Sequence, residues 1–366
     1  MGMTQNYIRL MDHSINRLFR DALAISRRDP GLMFFLLQTI FRQRKAAVFR
    51  RKWSERGLRV PPLMILSITH QCNLRCKGCY AQALHRPEGK EISINRLLEI
   101  IGEAGRLGIR ISLLAGGEPL TRPEVLEIAA GFPKIIFPVF TNGLLIDEEW
   151  IQRFKKHKNI IPVISLEGAA TETDARRGEG VYQKLRGVLQ LLNANRIFYG
   201  VSMTVTRMNL NTLIEELFIK ELLQEGCRLF FYVEYVPVKE DTAEWVLTEE
   251  QRSKMLQVTQ MLRSHYPALF IAFPSDEEQF GGCLAAGRGF IHISPDGNLE
   301  PCPFSPYSDT NLNQITLQDA LQSKFLEQIR GNHEQLQETA GGCALWENRE
   351  WVSSLLSDKQ DQKQQE

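Results

Sequence analysis

Three cysteines fall within eight residues, in the run Cys72-Asn-Leu-Arg-Cys76-Lys-Gly-Cys79. Thiolates are the soft ligands that iron–sulfur clusters take, and three of them leave one iron of a 4Fe–4S cluster without a protein ligand. A small chelating molecule can bind that open iron and receive an electron from it. Zinc is the rival occupant. A structural zinc site wants four ligands, however, and His70 would have to supply the fourth.

A second set lies far downstream. Cys283, Gly297 and Cys302 have the spacing C-x13-G-x4-C and enclose the segment His292-Ile-Ser-Pro-Asp-Gly-Asn-Leu-Glu-Pro-Cys302, and Cys343 follows Gly341-Gly342. Cys227 stands alone and reads as a packed core thiol. Seven cysteines so unevenly placed do not make a disulfide scaffold for a chain of 366 residues.

Other polar groups sit where short apolar runs end. Gly116-Gly117-Glu118-Pro119 offers paired glycines, which let backbone approach a ligand, beside a carboxylate suited to an ammonium group. Thr141-Asn142-Gly143 and Ser165-Leu166-Glu167-Gly168 close two further runs; Ser165 and Glu167 could bond hydroxyls of a ligand or serve only a turn. Ser202, Thr204 and Glu234 point to the same side by alternation.

The elements that must carry these groups alternate. Apolar runs at Leu63 to Ile68, Ile109 to Leu114, Ile135 to Phe140, Ile161 to Leu166, Tyr199 to Val205 and Leu229 to Val236 predict six strands. Amphipathic stretches such as Ile94 to Leu107 and Val181 to Asn193 predict helices between them. The pattern gives an α/β fold with a parallel sheet, open or closed into a partial barrel, whose ligands bind at the carboxyl ends of the strands. Beyond residue 237 the alternation loosens: Thr248 to Arg263 predicts a helix, and Phe290 to Pro301 a hairpin through Pro295-Asp296-Gly297.

C-x3-C-x2-C after a first strand, followed one strand later by Gly-Gly-Glu-Pro, resembles the radical S-adenosylmethionine superfamily. That resemblance implies a partial (β/α)6 barrel and a 4Fe–4S cluster on Cys72, Cys76 and Cys79. It implies S-adenosylmethionine as the chelating molecule, cleaved to a 5′-deoxyadenosyl radical, with a reductant such as flavodoxin or ferredoxin. Gly116, Gly117, Glu118 and Pro119 are then placed near the methionyl amino group, Arg177 near the carboxylate and Tyr80 near the adenine. Asn142, Ser165, Glu167 and Ser202 complete the expected cofactor site, with Glu118 and Arg177 as the catalytic candidates. The downstream cysteines look like a SPASM or twitch extension, with an auxiliary cluster on Cys283, Cys302 and Cys343. The chain departs from the full pattern at position 346, where Trp stands in place of a C-x2-C partner. At most one auxiliary cluster follows, with an open iron or a non-cysteine fourth ligand.

The expected organisation is a basic helical segment over 1–60, the barrel over 61–240, the extension over 241–357 and a disordered tail over 358–366. Residues 1–60 hold 13 Lys or Arg against 4 Asp or Glu, whereas the whole chain has a net charge of +1, so nucleic acid is not an expected partner. Arg42, Arg44, Lys45, Arg50, Arg51 and Lys52 interleave with Phe41, Val48, Phe49 and Trp53. One reading lays residues 31–56 on an anionic membrane surface; the plainer one packs their apolar face on the barrel. No apolar run approaches the roughly 20 residues that span a bilayer, and no signal peptide is visible, so a cytoplasmic chain, at most peripheral to the inner face of the membrane, is expected. The expected reaction is an oxidative modification or crosslink of a peptide. A lipid or other membrane-associated metabolite is the alternative substrate, and a non-enzymatic iron–sulfur electron carrier the other class.

Overall fold

The computed structural model describes residues 4–26, 29–84, 90–336 and 343–363. Strands β1 (Leu63–Ser67), β2 (Ile111–Ala115), β3 (Phe137–Thr141), β4 (Ile160–Ser165), β5 (Gly200–Val205) and β6 (Leu229–Glu234) lie side by side in chain order, all parallel. Parallel neighbours cannot be joined by a tight turn, so helices carry the crossovers. Ile94–Leu107 shows why they form: Ser93 caps the first turn, and Leu97, Ile100, Ile101, Ala104 and Leu107 gather on one buried face. The expected α/β parallel half-barrel is the fold the chain adopts.

Both faces of the sheet are covered, which is why its strands read as nearly unbroken apolar runs. Met64, Leu66, Val139, Ile164 and Val201 pack among the crossover helices. Ile111, Ile161, Val163 and Phe231 face the other way and meet Phe19, Leu32, Leu36 and Ile40 of helices α1 (Thr4–Ile25) and α2 (Pro30–Glu55). The N-terminal segment therefore fills the inner side of the sheet. Arg50, buried in α2, pairs with Asp12 of α1 and donates to the carbonyl of Gly108 at 2.6 Å. The opposite side of α2 stays in solvent, with Phe34 64% and Phe41 63% exposed. Among the described residues no helix is long and apolar enough to cross a membrane.

Two features add to the expected organisation. The sheet has nine strands: β7 (Leu269–Phe273) adds to β6 in parallel, β8 (Phe290–Ile293) adds to β1 in parallel, and β9 (Leu299–Glu300) returns antiparallel to β8. Residues beyond 240 thus extend both edges of the sheet, their apolar side chains buried with those of the strands they join. The final helix runs Arg349–Lys363, so most of the segment expected to be disordered is helical. Its Lys, Gln and Asp residues lack the apolar periodicity on which the expectation relied, yet Lys and Gln are good helix formers. Residues 364–366, Gly341 and Gly342 lie outside the described residues.

Candidate active site

The cysteine loop leaves the carboxyl end of β1 and is braced from both sides. Glu91 accepts from the Thr69 hydroxyl at 2.8 Å and the His70 amide at 2.7 Å. Gly117 donates to the Thr69 carbonyl and Glu118 to the Gln71 carbonyl, both at 2.7 Å. A Cβ at Gly117 would come within 2.0 Å of the Gln71 carbonyl oxygen, and one at Gly116, whose φ is +127°, within 2.6 Å of that of Thr69. The paired glycines are thus required by close approach of backbone to backbone, setting the loop that carries Cys72 against the end of β2.

Cys72, Cys76 and Cys79 line one wall of a cavity of ≈ 300 Å³. Its floor is apolar, formed by Leu63, Ile65, Leu113, Phe140 and Phe231; Ser165, Ser202 and Thr204 add hydroxyls at the strand ends. Ser165 and Ser202 are register partners on β4 and β5. Arg177 Nη1 stands 3.9 Å from the Cys76 sulfur, and Asn142 Nδ2 is 4.0 Å from that of Cys72 while bonding the Asn73 side chain at 2.6 Å. Burial raises the Cys76 thiol pKa, and the guanidinium groups of Arg177 and Arg176 oppose that rise. The donor set suits an iron–sulfur cluster: three soft thiols on one loop, with cations beside them to offset thiolate charge.

Two carboxylates expected to meet ligand are held by donors of the chain itself, though Glu118 also lines the cavity. Glu118, 1% exposed, accepts at Oε1 from the Leu120 amide (3.0 Å) and the Thr141 hydroxyl (2.7 Å), and at Oε2 from the Asn142 amide (2.6 Å). It ties the ends of β2 and β3 together, and burial raises its pKa. Glu167, also 1% exposed, accepts from Arg176 at 2.5 Å, from Arg177, and at Oε2 from the Thr204 amide at 3.0 Å. Satisfying buried guanidiniums demands such an acceptor. Arg176 is a residue the sequence reading missed: burial disfavours its charge, but Glu167, then Cys76 and Cys79, outweigh this and raise its pKa. The Arg-Arg pair before Gly178 was the available signal.

Other candidates are placed as follows. Tyr80 packs edge-on against Phe304 with ring centroids 5.1 Å apart, joining the cysteine loop to the segment after Cys302. Glu234 lines the cavity but its carboxylate is held by Arg252 at 2.9 Å and by Ser275. His70, the residue that a zinc site would have needed as its fourth ligand, has its Nε2 3.0 Å from Asp296. Cys227 is fully buried in the core.

Cys283, Cys302 and Cys343 line the same cavity as Cys72, Cys76 and Cys79. The Cys302 thiol pKa is raised well above its ordinary value, by burial first and then by the neighbouring Cys343 and Cys283. Among the described residues no group of three or more His, Cys, Asp or Glu could hold a metal ion. Three thiols on one cavity are the donor type that a 4Fe–4S cluster takes.

Residues 66–217 match the family model of the radical SAM superfamily. The chain is 25% identical over 312 residues to the AdoMet-dependent heme synthase of Methanosarcina barkeri, covering 77% of this chain and 88% of that protein. It is 30% identical over 268 residues to the mycofactocin maturase MftC of Mycobacterium tuberculosis, covering 69% and 66%. Streptococcus suis SuiB bound to its precursor peptide SuiA superimposes with a TM-score of 0.63 at 17% identity, over 85% of this chain and 75% of that one. At that identity the superposition speaks for the fold.

Proposed function

The chain belongs to the radical SAM superfamily and is an enzyme of that type, using a 4Fe–4S cluster and S-adenosylmethionine, and from that premise we propose that it oxidatively modifies or crosslinks a peptide, with a second cluster taking the electron left on the substrate. The observation that carries the proposal is that both cysteine sets line one cavity. Cys72, Cys76 and Cys79 would hold the first cluster; Cys283, Cys302 and Cys343 would hold the second.

When bound, the first cluster and S-adenosylmethionine supply a 5′-deoxyadenosyl radical, which takes a hydrogen atom from carbon. The chain does the rest. Phe140, Phe231, Val233 and Phe273 wall the cavity with apolar surface and exclude water from a radical. Ser165, Ser202 and Thr204 offer hydroxyls at the carboxyl ends of β4 and β5, where ribose or substrate would be bound. Glu167 fixes Arg177 against Cys76, and Glu118 fixes Asn142 against the loop of Cys72, so both carboxylates position their neighbours. Removing a second electron from the substrate turns hydrogen abstraction into net oxidation, for which an acceptor beside the same chamber is the requirement. The peptide is supported by SuiB, solved with a precursor peptide, and by MftC, a maturase.

A membrane-associated substrate is favoured by a different observation. Phe34, Leu37, Phe41, Val48 and Phe49 are exposed on α2 beside exposed Arg44, Lys45, Arg51 and Lys52, a combination that suits an anionic bilayer. Co-sedimentation with vesicles separates the readings. Binding that depends on anionic lipid supports a substrate met at the membrane, and its absence leaves the peptide. The oxidation itself is tested by electron counting: one 5′-deoxyadenosine forms per two-electron oxidation of substrate, one hydrogen leaving as an atom and the second electron passing to the C-terminal cluster as a proton is lost, and loss of Cys283 and Cys302 abolishes product while 5′-deoxyadenosine still forms.

A further inference from the structure

Glu277 is buried, 4% exposed, on the turn Ser275–Phe280 that follows β7, and it lines the cavity together with Cys283, Cys302 and Cys343. Its Oε2 accepts from the backbone amide of Leu284 at 3.1 Å, the residue next to Cys283, so carboxylate and thiol are set on one bend of the chain. Arg288, 5% exposed, clamps that bend, donating to the carbonyls of Cys283 at 2.5 Å, Phe280 at 3.1 Å and Gly282 at 3.3 Å. Cys302 arrives from the end of β9 and Cys343 from the start of the turn of helix Ala344–Glu347. The charge of Glu277 also bears on the Cys302 thiol, after those of Cys343 and Cys283.

We infer that Glu277 is the fourth protein ligand of the cluster on Cys283, Cys302 and Cys343, an oxygen donor at the iron that three sulfurs would leave open. The inference rests on the reading that these cysteines hold a cluster. A carboxylate oxygen is a protein donor that iron accepts, and Glu277 lines the cavity with the three thiols. The consequence is that this cluster is closed to outside ligands, which suits electron transfer and leaves substrate binding to the rest of the cavity.

The test uses the full chain with Cys72→Ala, Cys76→Ala and Cys79→Ala combined, so that only the C-terminal cluster remains. Iron is counted, and the reduced protein is examined by electron paramagnetic resonance with and without imidazole. The expected result is about 4 iron atoms and a spectrum indifferent to imidazole. Adding Glu277→Ala shifts the g values and makes the spectrum respond to imidazole, whereas Glu277→Cys keeps the iron, gives a third spectrum and restores indifference. An imidazole response with Glu277 in place, or unchanged g values in Glu277→Ala, overturns the inference while the cluster stands. If Glu277→Ala loses its iron, Glu277→Cys decides: iron retained supports the ligand, iron lost overturns it. A triple-cysteine variant without iron overturns the cluster itself, and the inference with it.

Discussion

Ser67 Oγ and His292 Nε2 stand 2.8 Å apart in the core, one at the end of β1 and the other on β8. The far side of the ring, Nδ1, is 2.7 Å from Glu300 Oε2 on β9. This chain of contacts runs from the strand that launches Cys72 to the hairpin that ends at Cys302. Burial pushes the His292 imidazole down to about 3, so the ring is neutral: Nδ1–H donates to Glu300 and Nε2 accepts from Ser67. The contact with Glu300 is a hydrogen bond from a neutral ring rather than an ion pair.

That pKa makes stability depend on pH. The imidazole titrates near 6.5 when unfolded and near 3 when folded, so its contribution is complete above about pH 6.5 and is lost as pH falls toward 3. At pH 5 the loss from this group is about 2 kcal/mol. Urea midpoints at pH 7.5 and pH 5 check this, with His292→Gln expected to show the smaller drop between them.

Glu167 holds two buried guanidiniums at once. Glu167→Ala strands both and should cost about 3–5 kcal/mol. Arg177→Ala removes one cation but leaves Arg176 to pair with Glu167, and should cost less. Denaturation midpoints of the two variants give the order; a larger loss in Arg177→Ala would contradict it.

Glu118 binds three donors from the ends of β2 and β3. Glu118→Ala is expected to lose about 1.5–3 kcal/mol of stability and to slow S-adenosylmethionine cleavage, because Asn142 and the cysteine loop lose their brace. Glu118→Gln keeps the acceptor oxygen and should recover part of both. A carboxylate needed only to meet an ammonium group would leave stability unchanged in either variant.

On α2, Phe34→Ser with Phe41→Ser removes the two most exposed aromatic rings of the helix. If α2 meets an anionic bilayer, sedimentation with vesicles containing phosphatidylglycerol falls several-fold in this variant and is negligible with phosphatidylcholine alone. Equal sedimentation of both proteins would remove α2 from the account.

The strands that carry the site were legible because each is a short apolar run bounded by turn residues, and the helix predicted from Ile94 to Leu107 has the bounds observed. The edges of the sheet were not. β8 pairs with β1 across more than two hundred residues of sequence, and no local period records that pairing. Residue types found Glu118, Glu167 and Arg177, but their partners within the chain were hidden: Glu118 bonds Thr141 and Asn142, and Glu167 bonds Arg176 and the Thr204 amide, contacts fixed by which strand ends lie adjacent. Glu277 carried no motif at all and became visible only when its turn was placed beside Cys283.

The central claim, that two clusters share one chamber, is tested most directly by anaerobic iron and sulfide quantification on reconstituted wild type and on the variant with Cys72, Cys76 and Cys79 all changed to Ala. Two clusters give about 8 iron atoms in the first and about 4 in the second. About 4 in the wild type and none in the variant would contradict it, leaving the C-terminal cysteines as buried thiols.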